Sequence, residues 1–125
     1  MATSRIAGCP TSPNCVSSLA EDDGHRIRPI PFDGAPEAAF ELLKRAIAAE
    51  PRTRVVEEQR DQWYLRAETA SQVFRFVDEL EFQLDPERKV LHLRSASRVG
   101  YWDLGVNRRR AERLRETLGN LGFWR

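Results

Sequence analysis

A chain of 125 residues, 41% of them hydrophobic and 31% charged, is long enough to bury one core and too short for two. Its 20 basic and 19 acidic side chains leave a net charge of +1, so no overall field draws it to nucleic acid or to an anionic surface, and any such attraction has to be local. No apolar run approaches the roughly 18 residues of a membrane-spanning helix, and the opening MATSRIAG lacks the basic start and apolar stretch of an export signal, so the sequence reads as cytoplasmic.

Residues 1 to 24 show little apolar periodicity and many turn formers. They read as an irregular arm that reaches the globule through Val16 and Leu19, ahead of a single domain over residues 25 to 125. Within the arm, CPTSPNC carries Cys9 and Cys15. The pair can close a small disulfide ring, remain reduced, or supply two metal ligands with His25 as a third and Asp22 or Asp23 as a fourth. Without an export signal the reduced and metal readings gain weight, since cytosolic disulfides are uncommon. The spacing fits no standard zinc pattern, and no metal or other cofactor is expected.

His25 to Phe32 (HRIRPIPF) alternates Ile27 and Ile30 with basic residues and prolines, which remove ladder donors and allow at most an edge strand; Asp33 and Gly34 break it. From Pro36 to Ala49 the spacing predicts a helix with Ala39, Phe40, Leu43, Ala46 and Ile47 on one face, Pro36 and Glu37 in its first turn, and Pro51 beyond its end. Thr53 to Glu58 and Trp63 to Thr69 flank QRDQ as a hairpin, with Trp63, Leu65 and Ala67 sharing a face. Val73 to Leu84 alternates next: Phe74, Phe76, Leu80, Phe82 and Leu84 face one way, Arg75, Glu79, Glu81 and Gln83 the other. Asp78 is the exception on the apolar side.

The turn Asp85 to Arg88 leads into a strand from Lys89 to Ser97. A four-residue loop sets Leu84 opposite Lys89. Phe82 then meets Leu91, Leu80 meets Leu93, Glu81 meets His92, Glu79 meets Arg94, and Asp78 meets Ser95, so the apolar face turns polar at one end of the sheet. The last helix, Asn107 to Leu121, aligns Ala111, Leu114, Leu118 and Leu121, with Asn107 as N-cap and Gly122 past the end; Phe123-Trp124-Arg125 covers the core. The order strand, helix, four strands, helix predicts an α+β domain. Its antiparallel sheet of four to five strands is covered on one face by two helices, as in TATA-binding-protein-like and helix-grip folds.

Between strand and last helix runs RSASRVGYWDLGVNRRR, Arg94 to Arg110, with five arginines. A helix start already carries about half a positive charge, so Arg108, Arg109 and Arg110 there call for a negative group. It can be internal, with Asp78 and Asp103 pairing with Arg98 and one of the three. The second reading, weighted below the first, is an external phosphate, sulfate or carboxylate held by the helix amides, Arg98, Arg108 and the hydroxyls of Ser95 and Ser97. Glu79 and Glu81 with Arg75 read as a solvated strand face, and His92 as a cross-strand partner. Ser95 and Ser97 lack a nearby histidine in sequence to act as base. Tyr101 and Trp102 read as a cap on the core or as a ligand-facing lip. One basic cluster in a charge-balanced chain does not suit single-stranded nucleic acid.

PNCVSS near the start, D..H.I.P before the first helix, and RSASRVGYWDLGVNRRR near the end together resemble the family called Domain of Unknown Function 1499. The resemblance runs from about Cys9 to the last helix. Its elements correspond to Asn14, Cys15, Val16, Ser17 and Ser18, then His25 and Pro29, then Asp78 and Glu81, then Arg94 through Arg108. It implies no established biochemical role, and it implies an envelope location for many members, which carry a targeting segment that these opening residues lack. The expected function is a non-enzymatic binding module for a small anionic ligand. Ser95, Ser97, Arg98, Asn107 and Arg108 form its site, supported by Asp78, Glu81, Arg94, Asp103 and Tyr101. The alternatives are a hydrolase-like enzyme using Asp78 and an arginine, and a scaffold using the arm or the aromatic tail.

Overall fold

The computed structural model describes residues 6–70, 76–98, 100 and 103–125. Its elements are β1 (Cys15–Ser17), β2 (Ile30–Pro31), α1 (Pro36–Ala49), β3 (Thr53–Gln59), a 3-10 turn (Arg60–Gln62), β4 (Tyr64–Ala70), β5 (Val77–Asp85), β6 (Val90–Ser97) and α2 (Val106–Asn120). The strands form one antiparallel sheet of six in the order β1-β6-β5-β4-β3, with β2 also on β6. Both helices pack into the core on one face of it, so the fold is α+β, with one strand more than the four to five expected.

The extra strand comes from the arm. Val16 sits opposite Ser95 and is buried in the core, and β1 and β2 between them cover the outer edge of β6 that would otherwise stand open. The rest of the arm crosses the other face of the sheet, where Ser17 Oγ donates to the Ala7 carbonyl and Arg94 Nε to the Gly8 carbonyl. The far edge, β3, is blunted by an irregularity between Val55 and Glu57 and by its charged side chains.

α1 spans the predicted residues and buries the predicted five, Ala39, Phe40, Leu43, Ala46 and Ile47. The 3-10 turn makes the hairpin; Trp63 closes it at φ 56 and stands outside β4, packing its ring edge-on against Phe40 at 5.8 Å. β5 begins at Val77 rather than Val73. Residues 71–75, with Phe74 and Arg75, lie outside the described residues, and Phe76 is half exposed instead of belonging to the apolar face.

The β5–β6 register differs from the expected one by two residues. Leu84 pairs with Leu91, Phe82 with Leu93, Leu80 with Ser95, Glu81 with Arg94, Gln83 with His92, Glu79 with Ala96 and Asp78 with Ser97. The cause lies in the turn. Asp85 stays in the strand opposite Val90, its carboxylate accepts the Glu87 and Arg88 amides, and Lys89 closes the loop at φ 57 instead of opening the next strand. A shift of two preserves which face each side chain takes, so the alternation holds although the partners change.

After α2, Gly122 turns the chain at φ 85, and Phe123 enters the core against Phe32, ring centroids 5.7 Å apart. Gly119 sits in the last turns of α2 under Trp124: a Cβ there would lie 2.8 Å from the ring. Glycine to alanine in a helix normally stabilises by about 1 kcal/mol. Here Gly119→Ala should instead destabilise by about 1–3 kcal/mol through overpacking. The ordinary gain should return in a Trp124→Ala background, as measured by urea denaturation of the four combinations.

Candidate functional site

The inner face of the sheet ends in a polar row. Thr53, Thr69, Asp78 and Ser97 stand opposite one another across β3, β4, β5 and β6, one row beyond the apolar Ala67 and Leu80. Thr53 Oγ1 donates to Thr69 Oγ1 at 2.7 Å. Over this row comes the first part of α2, where Asn107 and Arg110 share the buried stripe of Ala111, Leu114 and Leu118. The polar end of the helix stripe therefore meets the polar end of the sheet.

Arg110 and Asp78 are each only 4% exposed, and Arg110 Nη2 lies 2.9 Å from Asp78 Oδ2. Arg110 Nη1 donates to Asn107 Oδ1 at 2.9 Å and to Ser95 Oγ at 3.2 Å, and the Ser95 hydroxyl donates to Asn107 Oδ1 at 2.6 Å. The Asn107 amide nitrogen turns the other way, towards Asp103 Oδ2 at 2.8 Å, Ser97 Oγ at 2.9 Å and the Asn14 carbonyl at 3.2 Å. Two donors facing Oδ1 and three acceptors facing Nδ2 fix the orientation of this amide. Among the described residues every buried side-chain nitrogen and oxygen has a partner. The cluster is closed upon itself, as a buried charge pair requires.

Asp103, not Asn107, caps the helix. Its carboxylate accepts the Gly105 amide at 2.8 Å and the Asn107 amide at 3.3 Å, while Asn107 lies inside the first turn with its side chain committed to the cluster. The turn passes through Leu104 at φ 54 and Gly105 at φ 77. Asn14 ties in the arm: its Nδ2 donates to the Gly100 carbonyl at 2.6 Å, and its own carbonyl also accepts the Ser97 amide.

The structure thus brings together five of the residues singled out in the sequence: Asp78, Ser95, Ser97, Asp103 and Asn107. It places the others elsewhere. Arg98 lies on the opposite face of the sheet, donating to Glu68 at 2.8 Å and Glu79 at 3.1 Å; the first of these bonds holds the Glu68 carboxyl below its ordinary range. Glu81 and Arg94 share that face, with Glu81 accepting from the Tyr64 hydroxyl and lying 3.6 Å from Arg94. Arg108 points along α2 to the carbonyls of Gly24 and Arg26, and Tyr101 and Trp102 lie outside the described residues. Arg110, the cation at the centre, is detectable in the sequence only as the residue one turn before Leu114 on the apolar stripe.

Cys9 and Cys15 are joined in a disulfide, which removes them as metal ligands. His25 Nδ1 is bonded to Asp22 at 2.6 Å and Nε2 to the Ser12 carbonyl at 2.8 Å, and no three His, Cys, Asp or Glu side chains among the described residues converge as a metal site. An open cleft of about 550 Å³ lies at the same end of the sheet, lined by residues 48–54, 68–70 and Val77. Asp78 is not on its wall.

A family model described as a protein of unknown function, DUF1499, matches residues 5–118. The chain belongs to this family. No curated protein and no solved structure matches it. In this DUF1499 chain the match takes in every residue of the buried cluster, from Asn14 to Arg110. No helix among the described residues is long and apolar enough to cross a membrane.

A second arrangement in the DUF1499 chain escapes sequence reading because it joins residues 74 apart: Ser18 Oγ lies 3.0 Å from His92 Nδ1. The Leu93 amide donates into the same oxygen, so the hydroxyl proton goes to Nδ1. Burial lowers the His92 pKa, favouring the neutral ring. His25 behaves oppositely: the Ser12 carbonyl first, then Asp22, accept from its protonated ring and raise its pKa.

Truncating one member of a buried pair leaves the other uncompensated, so Asp78→Ala should cost about 3–5 kcal/mol in urea denaturation, while Asp78→Leu combined with Arg110→Met should recover most of that loss. The histidines give opposite pH signatures. The contribution of His25 is complete below its ordinary value of 6.5 and is lost as pH rises through its higher folded value; that of His92 is complete above 6.5 and is lost as pH falls through its lower folded value. In His25→Gln the alkaline loss should disappear and the acid loss should remain, as read from the transition midpoint across the pH range.

Proposed function

We propose that the domain is a non-enzymatic binding module that accepts an anionic partner at the start of α2, with Arg108 as the principal contact and Arg26 and Arg28 beside it. One observation carries this reading. The Arg108 guanidinium is fixed by the carbonyls of Gly24 at 3.0 Å and Arg26 at 3.1 Å, and among the described residues no carboxylate lies within 4.0 Å of it. Neutral acceptors orient the fork without neutralising its charge, which leaves it available to an external anion. Arg26 and Arg28 project to solvent from the same extended segment, whose next carbonyls, those of Arg28 and Pro29, bind Arg115. Ser95, Ser97 and Asn107 serve this site indirectly, by fixing the helix start from which Arg108 projects.

The disulfide supports placing the domain on the oxidising side of a membrane, in keeping with the envelope location implied by the family, because such bonds are uncommon in reducing cytosol. The alternative reading, a hydrolase-like enzyme using Asp78 and an arginine, is disfavoured because Asp78 is buried against Arg110 and off the wall of the cleft, and the Ser18–His92 pair is no better a candidate. Ser18 is buried, its oxygen is already engaged by the Leu93 amide, and no acidic partner orients His92 among the described contacts, so the pair is better suited to fastening the arm to β6.

Titrating sulfate, phosphate and citrate while following thermal unfolding tests the binding reading. The midpoint should rise at millimolar anion, and Arg108→Gln should abolish most of the rise while leaving the anion-free unfolding free energy within about 1 kcal/mol of the parent, since the side chain is only part-buried and its partners are neutral carbonyls. An unchanged midpoint in the parent protein would remove the proposal.

A further inference from the structure

We infer that the end of the sheet where β5 begins and α2 starts is a docking surface for an anionic phospholipid bilayer, with Leu104 as the inserting side chain. This rests on the anion-accepting reading above and names the partner. Leu104 is 85% exposed at the apex of the turn into α2, and Phe76, just before β5 at the same end, is 50% exposed. Scattered exposed leucines are ordinary. Leu104 differs in being held out. Its φ of 54 is a backbone conformation that leucine adopts only at a cost and that asparagine or glycine would take more readily. Four hydrogen bonds nevertheless pin the turn: Asp103 accepts the amides of Gly105, Val106 and Asn107, and the Leu104 carbonyl accepts Arg109 Nη1 at 2.9 Å. A rigid apolar tip loses little entropy when it is buried by a partner.

The cations at this end of the sheet choose the partner, Arg109 next to the tip and Arg52 across the sheet at the β3 edge. Arg109 is anchored to the Leu104 carbonyl and Arg52, at the start of β3, to the Ala70 carbonyl at 3.0 Å. Like Arg108, neither has a carboxylate within 4.0 Å among the described residues, so this end keeps positive charge beside exposed apolar side chains. An apolar tip on the same end of the sheet as fixed guanidinium groups matches the headgroup boundary of an anionic leaflet, where apolar atoms enter the acyl layer and cations meet phosphates. A protein pocket of the same shape would need to be acidic as well as apolar.

Co-sedimentation with vesicles of phosphatidylcholine, with and without a third of phosphatidylglycerol, tests this. Leu104→Asn is the informative variant, because asparagine tolerates the left-handed backbone and the fold should be kept. The parent should bind the anionic vesicles and not the neutral ones; Leu104→Asn should weaken binding by about tenfold, and Arg52→Gln and Arg109→Gln by about fivefold each. Anionic binding undiminished in Leu104→Asn, or equal binding to both vesicle types, would overturn the inference. If the small-anion midpoint shift occurs without vesicle binding, the lipid inference fails and the anion site stands; if neither occurs, both fail. Dissociation of a dimer by Leu104→Asn, seen by sedimentation velocity without vesicle binding, would make a second copy the occupant and overturn the proposal.

Discussion

An aspartate and an arginine taken out of water each lose several kcal/mol of hydration, and the attraction between them offsets this only when the remaining donors and acceptors are also satisfied. Asp78 and Arg110 meet that condition through Asn107, whose amide accepts from Arg110 and Ser95 on one side and donates towards Ser97, Asp103 and the Asn14 carbonyl on the other. One side chain thus joins the arm, β6, the turn before α2 and α2 itself, and through Arg110 the cluster reaches β5. Position is what such a cluster adds: a buried ion pair contributes little net stability over an apolar replacement, but it admits few alternative arrangements.

That positional role links the interior to the surface. Asp103 reaches Asn107 with one carboxylate oxygen and the Gly105 amide with the other, so the interior network and the turn that presents Leu104 share a residue. On the outside, Arg108, Arg109 and Arg52 are bound by carbonyls, in contrast to Arg98 and Arg66 on the opposite face, which are bound by Glu68 and Glu79. The face with mutually neutralised charges is a stable solvated surface. The end with carbonyl-bound arginines has no carboxylate against those guanidinium groups among the described residues, and this contrast is the basis of the proposed anion site.

Which parts were legible in the sequence follows from the range of the physics involved. α1 is marked by local signals, Pro36, Glu37 and a five-residue apolar stripe, and its predicted and observed bounds coincide. The alternation of β5 and β6 likewise fixes faces, because side-chain period is local. Register is not: it hangs on whether Asp85 and Lys89 belong to strand or turn, and Asp85 folding its carboxylate onto the Glu87 and Arg88 amides moved every pair by two. β1 had no periodicity to show, being three residues long and stabilised by pairing with a strand some eighty residues away. For the cluster, composition revealed that arginines crowd the start of α2 and that Asp78 intrudes on an apolar face, while helical phase, which separates Arg108, Arg109 and Arg110 onto different faces, decided which one Asp78 would meet.

The central claim is that the Arg110 guanidinium is immobilised by partners inside the protein and serves to hold the helix start in place. Nuclear magnetic resonance of its side-chain N–H groups reports this directly. The account predicts separate Nη resonances that exchange slowly with water and do not move when phosphate is added to tens of millimolar. A single averaged signal, or one that shifts with phosphate, would show the guanidinium to be mobile or ligand-facing and would contradict the account.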